Sequence, residues 1–263
     1  MLKLIDARFA KYSSQLVLVL SALVFTGCVV TESNPSEAVV DKNKALETRI
    51  QLTLGYISQG NRDSARTNLN KARDINPNDP RVNNAAGMLY QLEGEPARAE
   101  EEFKAALRKA PDFSAARNNY GVFLASRARA EEALEQFQIA ANDLEYDRRQ
   151  VALTNLGQTA LKLGLRDKAK ASFSQAFRLD PRASIPLIEL ADLEFQDREY
   201  SKAKSYLDLY NKVTKASSRS LWLAIRLERI FGNADREASL ALALKNLYPY
   251  SAEYLEYKRL LDE

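Results

Sequence analysis

The sequence predicts an all-α fold, a superhelix of about six stacked helix-turn-helix repeats, from three observations. Tyr56, Gly60, Ala65, Leu69, Ala72 and Pro77 recur 34 residues later as Tyr90, Gly94, Ala99, Phe103, Ala106 and Pro111. Gly121, Ala133, Phe137 and Ala140 continue the series at the same interval. Finally, the units place small residues opposite aromatic or large aliphatic ones, which is what two closely packed antiparallel helices need, and Pro77, Pro111 and Pro181 stop the second helix of repeats one, two and four, a closing proline that repeat three lacks. One such hairpin cannot bury its apolar face, so copies must stack on one another.

The first element is a leader rather than a repeat. Lys3, Arg8 and Lys11 precede the apolar run Leu16 to Phe25, which is closed by Thr26, Gly27 and Cys28. The apolar run of 10 residues is too short to span a bilayer, which takes about 20, so residues 1–27 read as an export signal. Phe25-Thr26-Gly27-Cys28 resembles a bacterial lipobox, although phenylalanine stands where leucine is usual. That resemblance implies lipid attachment at Cys28 and, with Val29 rather than aspartate next, retention at the outer membrane. The alternative is a plain secretory signal with an incidental cysteine. Residues 28–43 then turn polar around Pro35 and are expected to form a flexible, lipidated tether.

The repeat domain is expected to cover 44–263, with repeats at about 46–79, 80–113, 114–149, 150–183, 184–217 and 218–263. This period and pattern are the tetratricopeptide signature. Gly60 and Gly94 fit the turn between the two helices of a repeat, where a left-handed residue ends the first helix. Ala128 and Arg198 replace that glycine in repeats three and five. Between repeats three and four the interval rises to 36, as Gly121 is answered by Gly157 and Phe137 by Phe173. The two extra residues fall in Asp143 to Gln150, either as a longer turn or as a contact loop. Repeat six looks degenerate, with a slightly long turn near Gly232, and the tyrosine-rich tail from Tyr248 to Leu261 reads as a capping helix or a docking patch.

In such a stack the first helices line the concave side. Projecting the helical period from the seam assigns Ile50, Leu54 and Ile57, Asn84, Met88 and Gln91, Asn118, Val122 and Ala125, and Thr154, Gln158 and Leu161 to a groove that binds protein. It should be apolar at its N-terminal end and amide-lined beyond, which suits an extended or helical peptide. The apolar residues could instead pack against the tether.

Composition bears on the other function classes. The chain has no histidine and one cysteine, and without residues 1–27 its formal charge is +1. Neither a basic stripe for nucleic acid nor a Gly-rich phosphate loop is visible. No cofactor or metal site, no small-molecule substrate and no catalysis are therefore expected. A carboxylate hydrolase would have to use Glu189 or Asp192, the acids nearest the groove.

Lipobox, short tether and about six repeats together resemble the PilF/PilW family of type IV pilus lipoproteins, the pilotins. That resemblance implies a lipid-anchored protein on the periplasmic face of the outer membrane. It also implies a partner, the secretin subunit that forms the pilus exit pore, whose localisation and multimerisation the chain would promote. Repeat motifs are shared with other adaptors, so a periplasmic scaffold for peptidoglycan synthesis or barrel assembly is the alternative.

Overall fold

A computed structural model of the chain describes residues 35–262. The chain divides into two compact units, 1–45 and 46–263. The leader, Cys28 and the tether as far as residue 34 lie outside the described residues. Helix α1, Pro35–Ser58, opens the structure. The expected tether is therefore helical from Pro35 on: proline is tolerated in the first turn, and Glu37, Ala38 and then Lys42 to Glu47 include strong helix formers.

Five complete hairpins follow α1 and α2 (Arg62–Ile75): α3 (Pro80–Glu93) with α4 (Pro96–Lys109), α5 (Ser114–Ser126) with α6 (Ala130–Asn142), and α7 (Arg149–Lys162) with α8 (Arg166–Leu179). Next come α9 (Ser184–Gln196) with α10 (Tyr200–Val213) and α11 (Ser218–Ile230) with α12 (Ala234–Leu247). Helix α13, Ala252–Asp262, starts 34 residues after α11 and packs mainly on it, so it stands where the first helix of a seventh repeat would stand. All 13 described elements are helices, and residues 46–262 form the tetratricopeptide superhelix. None of the described helices is long and apolar enough to cross a membrane.

Each hairpin turns in the same way. Asn61, Glu95, Arg129, Leu165, Glu199 and Asn233 each donate a backbone N–H to the carbonyl five residues earlier, at 2.8–3.0 Å. The preceding residue is left-handed in every case: Gly60, Gly94, Ala128, Gly164, Arg198 and Gly232, with φ between 60° and 79°. This is the Schellman closure, in which one residue at positive φ lets the last carbonyls find donors. The sixth turn thus keeps the 34-residue interval and is not lengthened.

Between the helices of repeats two to four, the pairs Gly87 and Phe103, Gly121 and Phe137, and Gly157 and Phe173 form the seam. A Cβ on these glycines would lie 2.8, 2.7 and 2.6 Å from the facing ring. Only hydrogen fits there, and the phenylalanines are accordingly at most 2% exposed. The insertion forms an inter-repeat turn. Asp143 accepts from the Ser114 hydroxyl at 2.6 Å, Arg149 Nε donates to the Ala141 carbonyl at 2.7 Å, and Tyr146 packs on the core in place of the missing proline.

Candidate functional site

The first helices α1, α3 and α5 lie side by side, and their solvent-side residues form the groove's N-terminal part. Ile57, Met88, Gln91, Leu92, Asn119 and Val122 line a cavity of about 340 Å³. Its floor is apolar, with Ile57 and Met88 packed on the main core, while Val122 remains 41% exposed. Asn119 and Gln91 supply carboxamides beside the apolar floor. The Asn119 Nδ2 donates to the Met88 sulfur at 3.3 Å and to Asn84 Oδ1 at 3.1 Å, which fixes its orientation.

Of the residues expected in the groove, Ile57, Met88, Gln91 and Val122 come together in this cavity. Leu54 is half-buried at the core's edge, and Gln158, Ala125 and Leu161 are partly exposed but line none of it. Four expectations are corrected. Ile50 is a core residue, 4% exposed, and Asn84, Asn118 and Thr154 are 5–6% exposed. Ile50 belongs to the main core cluster, and Asn84 and Asn118 are taken up by the first helix of the following repeat instead of the opening. Asn155 Nδ2 donates to Asn118 Oδ1 at 3.0 Å, repeating the Asn119 to Asn84 bond one repeat on, so the amide ladder ties α3, α5 and α7 together. Buried amides paired in this way fix how the repeats align. Thr154 turns back onto the Gln150 carbonyl of its own helix at 2.9 Å.

Leu92 and Asn119 were missed. A helix face presents i+3 and i+4 neighbours together, and the projection kept Gln91 while passing over Leu92, four residues after Met88. Asn119 precedes Val122 by three and was hidden by Asn118, its buried neighbour.

The C-terminal part of the array has a different character. Arg219 grips both carboxylate oxygens of Glu189 at 2.8 Å and reaches Asp192 at 3.2 Å. Arg226 lies 3.6 Å from Asp192 and stacks over the Phe195 ring, with its guanidinium 4.4 Å from the centroid. Burial pushes the Arg226 guanidinium below its usual range, against the pull of Asp192. Tyr257 of α13 packs edge-on to Trp222, 6.2 Å between centroids. Glu189 and Asp192 are thus held in ion pairs with arginines, an arrangement that anchors α9 to α11.

The family description "Tetratricopeptide repeat" matches residues 84–145 and again 151–182. The chain is 37% identical over 240 residues to "Type IV pilus assembly protein PilF" of Pseudomonas aeruginosa, a match covering 91% of this chain and 95% of that protein. It is also 31% identical over 134 residues to an uncharacterised protein of Haemophilus influenzae, covering 51% and 73% of the two. Among solved structures, that of Pseudomonas aeruginosa PilF superposes with a TM-score of 0.78 at 36% identity, over 83% of this chain and 99% of that one. PilW, described as a widely conserved type IV pilus biogenesis factor, shares the fold with a TM-score of 0.66 at 24% identity, over 81% and 97%. With this extent of likeness to PilF added to the repeat architecture, the chain belongs to the PilF/PilW family of tetratricopeptide proteins of type IV pilus biogenesis.

Proposed function

We propose that the chain is an outer-membrane lipoprotein adaptor, a pilotin, that binds the secretin subunit of the type IV pilus and promotes its localisation and multimerisation. The observation that carries this reading is the apolar cavity of Ile57, Met88, Leu92 and Val122, flanked by the carboxamides of Gln91 and Asn119. An apolar side chain of a partner segment fits such a floor, while amides can satisfy the main-chain groups on either side of it. Lipid on Cys28 would supply the address, holding the array at the periplasmic face of the membrane. The mechanism is capture and delivery, with no bond made or broken.

A photo-crosslinker at Val122 in intact cells tests the partner: capture of the secretin supports the reading, and capture of a peptidoglycan or barrel-assembly component instead overturns it for a general envelope scaffold. Met88→Asp should weaken secretin binding at least tenfold with helical content unchanged, because the new carboxylate would have to be desolvated in the complex. Cys28→Ser should leave the repeats folded and shift the protein out of the outer-membrane fraction. A variant that still sediments with outer membrane would rule out lipid as the address.

A further inference from the structure

On the other side of repeats one and two, α2, α3 and α4 enclose a cleft of about 290 Å³ lined by Arg66, Leu69, Asn70, Arg73, Leu89, Tyr90 and Arg98. Three guanidiniums and an amide share it with no carboxylate in its lining. Tyr90 and Arg98 also line a second hollow of about 360 Å³, where Glu101 and Glu102 supply carboxylates. Arg66 and Arg73 are held by Glu93 and Glu102, each at 2.7 Å. Arg98 lies over the Tyr90 ring, 4.0 Å from its centroid, and donates to the Tyr90 hydroxyl at 2.7 Å. Among the described residues, no carboxylate pairs with Arg98.

The array contains its own control. Moving four repeats on, by 138 residues, converts Arg66, Tyr90 and Arg98 into Lys204, Glu228 and Arg236. There the chain supplies the anion itself: Glu228 is 2% exposed and its Oε1 lies 3.4 Å from Lys204 Nζ and 3.5 Å from Arg236 Nε. One repeat earlier, Glu194 in the same position takes Lys170 at 3.0 Å. Repeats one and two keep the cations and put tyrosine where the carboxylate would be.

We propose that this cleft binds a phosphate-type oxyanion, free or as the headgroup of an anionic lipid. A single carboxylate serves two cations at Glu228. Arg98, which no described carboxylate pairs, the N–H groups that Arg66 and Arg73 keep beyond their single contacts with Glu93 and Glu102, and the Asn70 amide together offer more donors than a planar carboxylate can use, and match a tetrahedral oxyanion with several acceptor atoms. The proposal is independent of the groove on α1, α3 and α5 and of its partner.

The test titrates the full chain with inorganic phosphate by calorimetry at low ionic strength, with acetate as the planar comparison. Saturable phosphate binding is expected, weakened at least tenfold in Arg98→Ala, the loss of about one charge-assisted contact. Tyr90→Glu should abolish it by installing the internal anion found at Glu228. Lys168→Ala, at the equivalent of Arg98 two repeats on, should leave it unchanged, and circular dichroism checks that every variant is folded. Arg98→Lys, which keeps the charge but loses the planar fork of donors, should bind more weakly than the unaltered chain and more tightly than Arg98→Ala. Flotation with phosphatidylglycerol or phosphatidylcholine vesicles, in a Cys28→Ser background, assigns the source. Arg98-dependent flotation with the anionic vesicles alone assigns a lipid headgroup, and phosphate binding without such flotation assigns soluble phosphate. The proposal fails if phosphate does not saturate, if acetate binds as tightly, or if Arg98→Ala and Tyr90→Glu bind like the unaltered chain.

Discussion

In repeats two to four a glycine on the first helix faces a phenylalanine on the second. In repeat five the same two positions hold Ala191 and Leu207, and in repeat six Ile225 and Ala241, all at most 7% exposed. Bulk passes from the second helix to the first along the array, while the hairpin turn keeps its geometry throughout. What the fold conserves is the combined volume of the pair, since a close-packed seam tolerates exchange of size across it but no net gain.

The largest effect should come from breaking that balance on the glycine side. Gly157→Ala places a Cβ 2.6 Å from the Phe173 ring, and urea denaturation should show a loss of about 2 kcal/mol. Phe173→Leu added to it recreates the Ala191 and Leu207 pair of repeat five and should restore at least half of that loss. If the double variant is no more stable than Gly157→Ala alone, the two halves of the array are not packed by one rule.

The same comparison shows how far the sequence could be read. The seam and turn positions were legible because sterics at Gly87, Gly121 and Gly157 and positive φ at Gly60 and Gly94 each leave few residue choices. Positive φ at Arg198 and Ala128 could be located only by counting along the period, since neither side chain advertises it. The groove was legible to within one helical position. Ile57, Met88, Gln91 and Val122 fell where projected, whereas Ile50, Asn84, Asn118 and Thr154 lie where one first helix meets its neighbours, a contact absent from the pattern of any single hairpin. The cleft at Arg66, Arg73 and Arg98 was invisible because it joins residues of α2 with residues of α4, each an ordinary solvated arginine on its own helix.

Electrostatics also separate the two regions, and pH can read the separation. In the N-terminal half Glu100 accepts from Lys104 at 2.7 Å, Arg129 at 2.9 Å and the Tyr120 hydroxyl at 3.0 Å. Donation by Lys104, then by Arg129 and Tyr120, outweighs burial and holds the Glu100 carboxyl down at about 2, while burial and the Glu100 contact push Tyr120 up to about 12. A carboxyl lowered on folding stabilises the protein above its ordinary value of 4.5, and that contribution disappears as the pH falls from there towards about 2. Allowing for solvent screening, it is about 1 kcal/mol. Glu100→Gln should therefore be less stable than the unaltered chain by that amount at pH 7, and the two should converge as the pH approaches 2. A gap that persists undiminished at low pH would mean that the glutamine disturbs packing and that the charge is not the cause.

The smallest effect tests the turns, which differ in residue from repeat to repeat but not in shape. Gly94 has φ 79° with nothing within 4 Å of an added Cβ, so Gly94→Ala carries a purely conformational cost of about 1 kcal/mol. Ala128 at φ 60° and Arg198 at φ 63° already bear that cost. Replacing either by glycine removes about 1–2 kcal/mol of left-handed strain, and the freer unfolded chain takes back roughly half of it. Each replacement should therefore stabilise the array by about 0.5–1 kcal/mol, and because the sites lie on separate turns the gains should add. Arg198→Gly gives the cleaner reading, since Arg198 is exposed and lies in a turn closed by the Glu199 to Glu194 backbone bond at 2.9 Å. A loss of stability there would mean that the arginine side chain contributes more to the repeat-five turn than its backbone conformation costs, and that the turns of the two halves are equivalent only in outline.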